Sequence, residues 1–127
     1  MNNQKNIVLC GVGGQGTVLA SKLLAAAAMS KDIPVMSAET IGMAQRGGSV
    51  FSHLRMGDNL YSPMIETGTA DLIIGFEPGE TVRMLPYLKD HGHIVVSTRA
   101  VKPVTATLSG SDYDAPQMLE YLKAAVP

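Results

Sequence analysis

Apolar and polar positions along the first third of the chain predict a strand, a turn, a helix and a second strand. Residues 7–10 (Ile-Val-Leu-Cys) form a continuous apolar run, which is typical of a strand buried on both faces. Residues 17–30 are rich in alanine and leucine and predict a helix. Asp32–Pro34 ends that pattern, and Val35–Ser37 predicts the next strand. This order of elements predicts a parallel βαβ unit.

The middle of the chain departs from a simple βαβ repeat. Residues 39–48 are polar and contain several glycines, and a short helix is expected around 41–45. Residues 49–55 alternate between polar and apolar, which predicts a half-exposed strand that ends in a turn at Met56–Asn59. Leu60–Ser62 is expected to return as the hairpin partner of that strand. A mixed rather than an all-parallel sheet follows from this pattern.

A parallel pattern resumes in the second half. Ala70–Phe76 is apolar and β-branched and predicts a central strand. Glu77-Pro78 begins a helix that is expected to end near Lys89, because proline is tolerated in a first helical turn. Asp90–His93 predicts a turn into the strand Ile94–Ser97.

Acidic residues stand where two helices are predicted to begin. Asp114 is the expected N-cap of a last helix at Ala115–Ala125. Glu77 and Glu80 lie at the start of the preceding predicted helix, and helix-capping electrostatics accounts for both without a functional role.

These elements together predict an α/β fold. Lys102–Leu108 adds an expected edge strand. Residues 1–127 are therefore expected to form a single three-layer α/β/α domain with a mixed, mostly parallel sheet and a Rossmann-like opening βαβ unit.

Composition narrows the class of protein. The chain has 127 residues, of which 46% are hydrophobic and 17% charged, so one folded domain with its own core is expected. Ten basic and eleven acidic side chains give a net charge of −1, which argues against a module that binds nucleic-acid phosphates. No secretory signal and no apolar run of membrane-spanning length is seen, so a cytoplasmic protein is expected.

Cysteine and histidine give no indication of a metal site. The single cysteine, Cys10, excludes an intramolecular disulfide, and these residues alone cannot supply the thiolates of an iron–sulfur cluster. Cys10 ends an apolar run and is expected to be a buried small hydrophobe. His91 and His93 fall in a predicted turn, and His53 is expected to be a packed or surface histidine. We therefore predict no metal ligands on this chain.

The pattern Gly11-x-Gly13-x-x-Gly16 lies between the first predicted strand and the first predicted helix. Small residues allow close approach of an anion to the backbone, and a helix N-terminus supplies unpaired N–H groups and a positive dipole end. This setting predicts binding of a phosphate or another anionic group. The alternative is a tight turn that needs glycine only for packing.

A second polar cluster follows the second predicted strand. Glu39 is the acidic residue at the end of that strand, where a dinucleotide fold would place a ribose ligand. Arg46, followed by Gly47 and Gly48, can form bidentate contacts with a carboxylate or a phosphate. An exposed surface loop is the alternative interpretation.

The two motifs in order, residues 11–16 (GVGGQG) and 39–50 (ETIGMAQRGGSV), resemble the gamma-type domain of 2-oxoacid:ferredoxin oxidoreductases. Within that family the chain is most similar to the beta-subunit branch that acts on indolepyruvate, and the run 39–55 is the specific part. The resemblance covers essentially the whole chain. Family members continue past the position of Pro127, so the family's C-terminal portion is expected to be missing from these residues. Other positions that fit the pattern are Ser62-Pro63, Asp71, Gly75, Glu77-Pro78 and Pro103.

The resemblance implies oxidative decarboxylation of indolepyruvate or other aryl pyruvates with coenzyme A. The products are an aryl-acetyl-CoA and carbon dioxide, and the electrons reduce ferredoxin. Thiamine diphosphate, Mg²⁺ and 4Fe-4S clusters are then expected on a larger catalytic alpha subunit. This chain is expected to hold none of them firmly and to be inactive alone.

The resulting hypothesis joins the two glycine-bearing segments on one surface at the carboxyl ends of the strands. Gln45 and Arg46 are the candidates for a contribution to an active site shared with the partner subunit. The predicted binding residues are Gly11, Gly13, Gly14, Gln15, Gly16, Thr17, Glu39, Gly47, Gly48 and Ser49.

The same residues are compatible with proteins of other classes. One is the gamma subunit of a pyruvate or 2-oxoglutarate:ferredoxin oxidoreductase. Another is a free-standing Rossmann-type nucleotide-binding module, and a third is an interaction protein whose glycine clusters only dock a partner. A homodimer is one form expected of the isolated chain, because edge strands and a methionine-lined loop would be left bare.

Overall fold

A computed structural model describes residues 4–13, 16–41, 49–98 and 115–125. The elements within these ranges are, in chain order, β1 (Lys5–Val12), α1 (Thr17–Ser30), β2 (Val35–Ile41), β3 (Ser49–Met56), β4 (Ala70–Gly75), α2 (Pro78–Met84), a short 3-10 helix (Leu85–Tyr87), β5 (Leu88–Val96) and α3 (Ala115–Ala125). No helix in this part of the chain is long and apolar enough to cross a membrane.

The strands form one sheet in the order β2-β3-β1-β4-β5. β1 pairs in parallel with β4, and β4 pairs in parallel with β5. β3 runs antiparallel to both of its neighbours, β1 and β2. The predicted α/β fold with a mixed, mostly parallel sheet is confirmed.

Alternate residues of β1 face two separate cores. Ile7 and Leu9 pack with Leu54 on the face that α1 covers, where Ala20 and Leu24 contact them. Burial of each such aliphatic side chain contributes about 1.5–3 kcal/mol. The opposite face carries a second cluster of buried residues, with partly buried side chains from α2 and the 3-10 helix against it: Val8, Cys10, Ile65, Ala70, Ile73, Met84 and Tyr87. Helices therefore cover both faces, which confirms the three-layer arrangement.

The segment after α2 differs from the prediction in where the helix stops. α2 ends at Met84 rather than near Lys89, and a 3-10 helix follows. Pro86 explains the early end, because proline has no N–H to donate and its ring clashes with the preceding turn. The predicted turn at Asp90–His93 lies inside β5. The pairing with β4 is irregular there, because Ala70 is paired with Leu88 but Leu72 is paired with His93. His91 has a left-handed backbone there, with φ of 63°.

Leu60–Ser62 does not form the predicted hairpin partner of β3. Both edges of β3 are already hydrogen-bonded, one to β1 and the other to β2, so no edge is left for a third strand. Residues 57–69 instead cross from β3 to β4 without regular structure.

Two side chains of β3 hold this irregular segment. Nδ1 of His53 accepts a hydrogen bond from the Ile65 amide at 2.8 Å, and the His53 ring packs edge-on against Tyr87. His53 is 1% exposed, so it is a packed histidine, and burial lowers the pKa of its imidazole. Arg55 donates to the Ser62 carbonyl at 2.9 Å. These hydrogen bonds hold the connection 57–69 in a defined conformation although it has no regular secondary structure.

A polar network ties the amino end of β1 to β4. The Asn6 amide donates to the Asp71 carboxylate at 2.8 Å, and Lys89 also donates to that carboxylate. Partial burial acts to raise the pKa of Asp71, but the hydrogen bonds from Lys89 and Asn6 and the charges of Lys89 and Lys5 outweigh it and lower the pKa.

Several predictions lie outside the described residues. One is the short helix expected around 41–45: Ile41 is the last residue of β2, and residues 42–45 lie outside the described ranges. The edge strand expected at 102–108 and the Asp114 cap are others. The last helix is confirmed at Ala115–Ala125.

Candidate functional site at the carboxyl ends of β1 and β4

The connections that leave β1 and β4 diverge to opposite faces of the sheet. The two strands are parallel neighbours, and the Phe76 amide after β4 donates to the Cys10 carbonyl of β1 at 2.8 Å. The chain passes from β1 into α1 on one face and from β4 into α2 on the other. In open α/β sheets a ligand crevice lies at such a switch point, outside the carboxyl ends of the strands.

The glycine motif stands at this switch point, and the region outside the carboxyl ends of β1 and β4 is here called the crevice. β1 extends to Val12, so Gly11 lies within the strand, paired with Val50, and not in the predicted turn. Gly13 begins the turn, and Gly16 is the N-cap of α1 with φ of 88°, a left-handed conformation that glycine adopts without strain. Gly14 and Gln15 lie outside the described residues.

The N-terminus of α1 is open to an anion. Among the residues that the structure describes, no side chain caps it, and no acidic residue stands in its first turn. Thr17, the first helical residue, is 3% exposed, and its hydroxyl has no hydrogen-bond partner among the residues that the structure describes. Uncapped amides together with the positive end of the helix dipole suit a phosphate or carboxylate.

The N-terminus of α2, on the other side of the crevice, is closed by its own side chains. The Glu77 carboxylate accepts a hydrogen bond from the Glu80 amide at 3.0 Å, which confirms the predicted capping role. Both glutamates are buried. Their negative charge disfavours an anion at α2, so the two walls of the crevice differ in electrostatic character.

α2 is seated closely on the strands. The Thr81 hydroxyl donates to the Glu77 carbonyl at 2.8 Å and lies 3.8 Å from the Cys10 sulfur. Thr81 also fills the space beside Gly75, where a Cβ would meet the Thr81 hydroxyl oxygen at 1.7 Å. The absence of a side chain at Gly75 therefore allows α2 to pack against β4.

The sheet register brings the end of β1 to the start of β3. Val12 is paired with Ser49, and Ile41 at the end of β2 is paired with Val50. The described residues that flank the two glycine-bearing segments therefore lie at the same end of the sheet, where β1 and β2 end and β3 begins. Ser49 itself does not offer a free donor, because its hydroxyl donates to the Glu80 carboxylate at 2.9 Å.

Glu39 lies farther from the glycine turn than a dinucleotide site requires. It is an exposed residue two positions before the end of β2 and is paired with Ser52. β3 intervenes between β2 and β1, so β2 is two strand spacings, about 10 Å, from β1. In the ordinary dinucleotide-binding order the second strand is adjacent to the first. This topology disfavours Glu39 as a ribose ligand for a nucleotide held at the glycine turn.

Sequence reasoning missed the contacts of Glu80 and Arg83. Helix-capping electrostatics accounted for Glu80 without a functional role, whereas its carboxylate is buried and accepts a hydrogen bond from Ser49. Arg83 donates to the Ser49 hydroxyl at 3.2 Å. No local pattern indicates a contact between residues 31 positions apart in sequence. The remaining predicted residues lie outside the described ranges and are Gln45, Arg46, Gly47 and Gly48.

Cys10 does not fit a ligand of an iron–sulfur cluster. The thiol is buried, and burial raises its pKa to about 12, with a smaller opposing effect of the Thr81 hydrogen bond. A cluster requires thiolates from several cysteines, and the chain has one. In the described part of the chain no group of three or more metal-ligating side chains occurs.

A polar cavity of about 320 Å³ lies at the opposite end of β1, lined by Gln4, Asn6, Arg55, Glu66 and Thr69. Its arginine is engaged by the protein, since Arg55 donates to the side-chain oxygens of Asn6 at 3.0 Å and Gln4 at 3.3 Å. The crevice at the carboxyl ends is therefore the better candidate for a ligand site.

Comparison with known proteins gives a consistent set of relatives. Residues 6–124 match the family model described as pyruvate ferredoxin/flavodoxin oxidoreductase. The chain is 42% identical over 108 residues to the indolepyruvate oxidoreductase subunit IorB of Methanothermobacter thermautotrophicus, a match that covers 85% of this chain and 55% of the relative. It is 31% identical over 94 residues to the pyruvate/ketoisovalerate oxidoreductases common subunit gamma of Thermococcus kodakarensis, covering 72% of this chain and 51% of that one.

A solved structure shares the fold. The pyruvate oxidoreductase subunit PORC of Thermotoga maritima superposes with a TM-score of 0.61 at 22% identity, over 85% of this chain and 56% of that chain. The chain spans about half the length of the curated relatives named here.

Proposed function

The chain belongs to the pyruvate ferredoxin/flavodoxin oxidoreductase family as a gamma-type domain, and from this premise we propose that it is a subunit of an indolepyruvate:ferredoxin oxidoreductase. In the proposed reaction an aryl 2-oxoacid and coenzyme A give an aryl-acetyl-CoA and carbon dioxide. The two electrons released reduce ferredoxin, and one proton is released with them. The observation that carries the choice of substrate is the identity of 42% to a relative named for indolepyruvate, against 31% to one named for pyruvate and ketoisovalerate.

The proposal assigns the redox cofactors to a larger alpha subunit. Thiamine diphosphate, with Mg²⁺, supplies the carbanion chemistry when bound, and 4Fe-4S clusters carry the electrons. The buried thiol of Cys10, with its pKa raised to about 12, supports an assignment of the clusters elsewhere.

A partner is supported by the outer face of α1. Leu19, Leu23 and Met29 are 61%, 62% and 65% exposed, and Lys22 is the one charged residue of this helix. A helix that is apolar on all sides is typical of one covered by further protein. We propose that the larger subunit covers this face.

The role proposed for this chain is to hold an anionic group of coenzyme A in the crevice. The open N-terminus of α1, with Gly13, Gly16 and Thr17, supports a phosphate on that side. The self-capped N-terminus of α2 supports an uncharged part of the ligand on the other side. Gln45 and Arg46 are proposed to complete the shared active site, and Gly47 and Gly48 to permit close backbone approach.

Substitution of Arg46 tests this role in the co-expressed complex. Arg46→Ala is expected to raise KM for coenzyme A roughly tenfold, because it removes a charge-assisted hydrogen bond. Lys123→Ala is the matched control, since it removes a positive charge from an exposed position of α3, away from the α1 face assigned to the partner. Turnover and coenzyme A dependence that are unchanged in Arg46→Ala would contradict the assignment.

A further inference from the structure

Glu80 is a buried carboxylate whose contacts reach across the fold. It lies in α2 and is 3% exposed, so its charge is almost wholly removed from water. Its Oε1 atom accepts a hydrogen bond from the Ser49 hydroxyl at 2.9 Å. Ser49 is the first residue of β3, 31 positions earlier in the chain. Burial of a carboxylate without hydrogen-bond partners has a large free-energy cost, so the contact with Ser49 is needed to keep Glu80 buried.

Arg83 completes the arrangement from the solvent side. Its guanidinium lies 3.7 Å from Oε1 of Glu80 and donates to the Ser49 hydroxyl at 3.2 Å. The Arg83 side chain is 64% exposed, so the ion pair is open to water and adds little stability by itself. The Ser49 hydroxyl donates to Glu80 and accepts from Arg83, and its orientation is therefore defined by α2.

α2 itself is held in a fixed position against β4. Its first turn is capped by Glu77, and Thr81 fills the space beside Gly75 of β4. A side chain fixed on α2 is thus fixed relative to the carboxyl end of β4. Ser49 is in turn paired with Val12 at the end of β1. The Ser49–Glu80 bond consequently connects the two sides of the crevice through side chains as well as through the sheet.

We infer that Glu80 is a positioning residue of the crevice, which through Ser49 fixes the start of β3 beside the end of β1. Its effect on catalysis rests on the proposed function, whereas its effect on the start of β3 does not. Glu80 acts through Ser49 and not by contact with a reacting group. A displacement of about 1 Å at a ligand site changes rates by up to roughly a hundredfold, which is the scale on which such a residue acts.

Three variants of the full chain, each co-expressed with its partner, separate positioning from general stability. Glu80→Ala removes the acceptor for Ser49. Glu80→Gln keeps a side-chain oxygen at the same distance and loses the exposed ion pair with Arg83. Asp71→Asn is the matched control, because it weakens the contacts of Asp71 with Asn6 and Lys89 at the amino ends of β1 and β4, the far end of these strands from the crevice. Hydrogen exchange of peptides covering Ser49–Met56, and kcat and KM for coenzyme A and for the 2-oxoacid, are measured together with thermal midpoints.

The expected result is faster exchange at the start of β3 in Glu80→Ala, with KM for coenzyme A raised roughly tenfold or more and kcat changed less. Glu80→Gln is expected to restore both quantities. Asp71→Asn is expected to lower the thermal midpoint without either effect. The inference is overturned if β3 exchanges as in the parent chain, or if Glu80→Ala and Asp71→Asn change kinetics equally. A parent complex that shows no 2-oxoacid-dependent turnover would contradict the proposed function, and the exchange measurement would still decide the role of Glu80.

Discussion

Thr81 occupies the space that a side chain at Gly75 would need: an ideal Cβ on Gly75 would lie 1.7 Å from the Thr81 hydroxyl oxygen and 2.9 Å from its Cβ. This contact sets how closely the first turn of α2 approaches the carboxyl end of β4. Glu77 and Glu80 are on that turn, so the electrostatic character of one crevice wall depends on it.

Gly75→Ala is expected to lower the free energy of unfolding by roughly 1–3 kcal/mol, because the added methyl group forces α2 away from β4. Urea unfolding measures the change. Thr81→Ala in the same chain is expected to recover only part of the loss, since it removes the hydroxyl and leaves the Cβ at 2.9 Å. A Gly75→Ala chain as stable as the parent would show that the junction is loose.

Thr17 and Thr81 are buried threonines with opposite hydrogen-bond status. The Thr17 hydroxyl has no partner in the described part of the chain, whereas the Thr81 hydroxyl donates to the Glu77 carbonyl. Thr17→Val is therefore expected to raise the free energy of unfolding by about 1 kcal/mol, and Thr81→Val to lower it by a similar amount. Denaturant titrations of the two variants check this contrast. A loss of stability in Thr17→Val equal to that in Thr81→Val would contradict the arrangement at the start of α1.

His53 is expected to make stability depend on pH below about 6.5, its usual pKa. Burial lowers its pKa in the folded chain, so between the two values the unfolded chain binds more protons. Stability from this group is complete above pH 6.5 and falls as the pH decreases through that value, by at most about 1.4 kcal/mol per pH unit. The loss stops once the pH is below the folded pKa. Urea unfolding between pH 5 and pH 8 measures it.

His53→Asn supplies the control for this pH dependence. The asparagine Oδ1 can accept the hydrogen bond from the Ile65 amide, but it does not titrate. A smaller slope below pH 6.5 is expected in this variant, alongside a lower overall stability from lost packing against Tyr87. An identical slope in the parent and His53→Asn would show that other groups cause the dependence.

Cys10 is expected to resist alkylation in the folded chain. Its pKa of about 12 leaves very little reactive thiolate at pH 8, and the side chain is fully buried. Iodoacetamide labelling, followed by mass spectrometry, should be slow in buffer and fast in urea. Labelling in buffer at the rate of a free thiol would contradict the described packing of Cys10.

Local patterns were sufficient for much of the fold. Residues 17–30 form α1 within the predicted bounds, and β3 and β4 begin at the predicted Ser49 and Ala70. These elements are set by the alternation or continuity of their own apolar residues, which the sequence displays directly.

The features that the sequence did not predict depend on contacts between residues far apart in the chain. The run Leu60–Ser62 has the composition of a hairpin partner, yet β1 and β2 already occupy both edges of β3. The burial of Glu80 likewise depends on Ser49, which reaches it only once β3 is placed beside β1. The glycine turn was located correctly in order, but β1 continues through Gly11 because β3 continues to pair with it.

Purification of the tagged chain from its host, followed by an absorption spectrum and a viologen-reduction assay, shows whether the chain is a subunit of a 2-oxoacid:ferredoxin oxidoreductase. The chain is expected to co-purify with a larger subunit as a brown complex that reduces the dye only when coenzyme A and a 2-oxoacid are present. Indolepyruvate is expected to give a higher kcat/KM than pyruvate or 2-oxoglutarate. A colourless chain that purifies alone and binds NAD on titration would contradict the subunit assignment, and a preference for pyruvate or 2-oxoglutarate would contradict the proposed substrate.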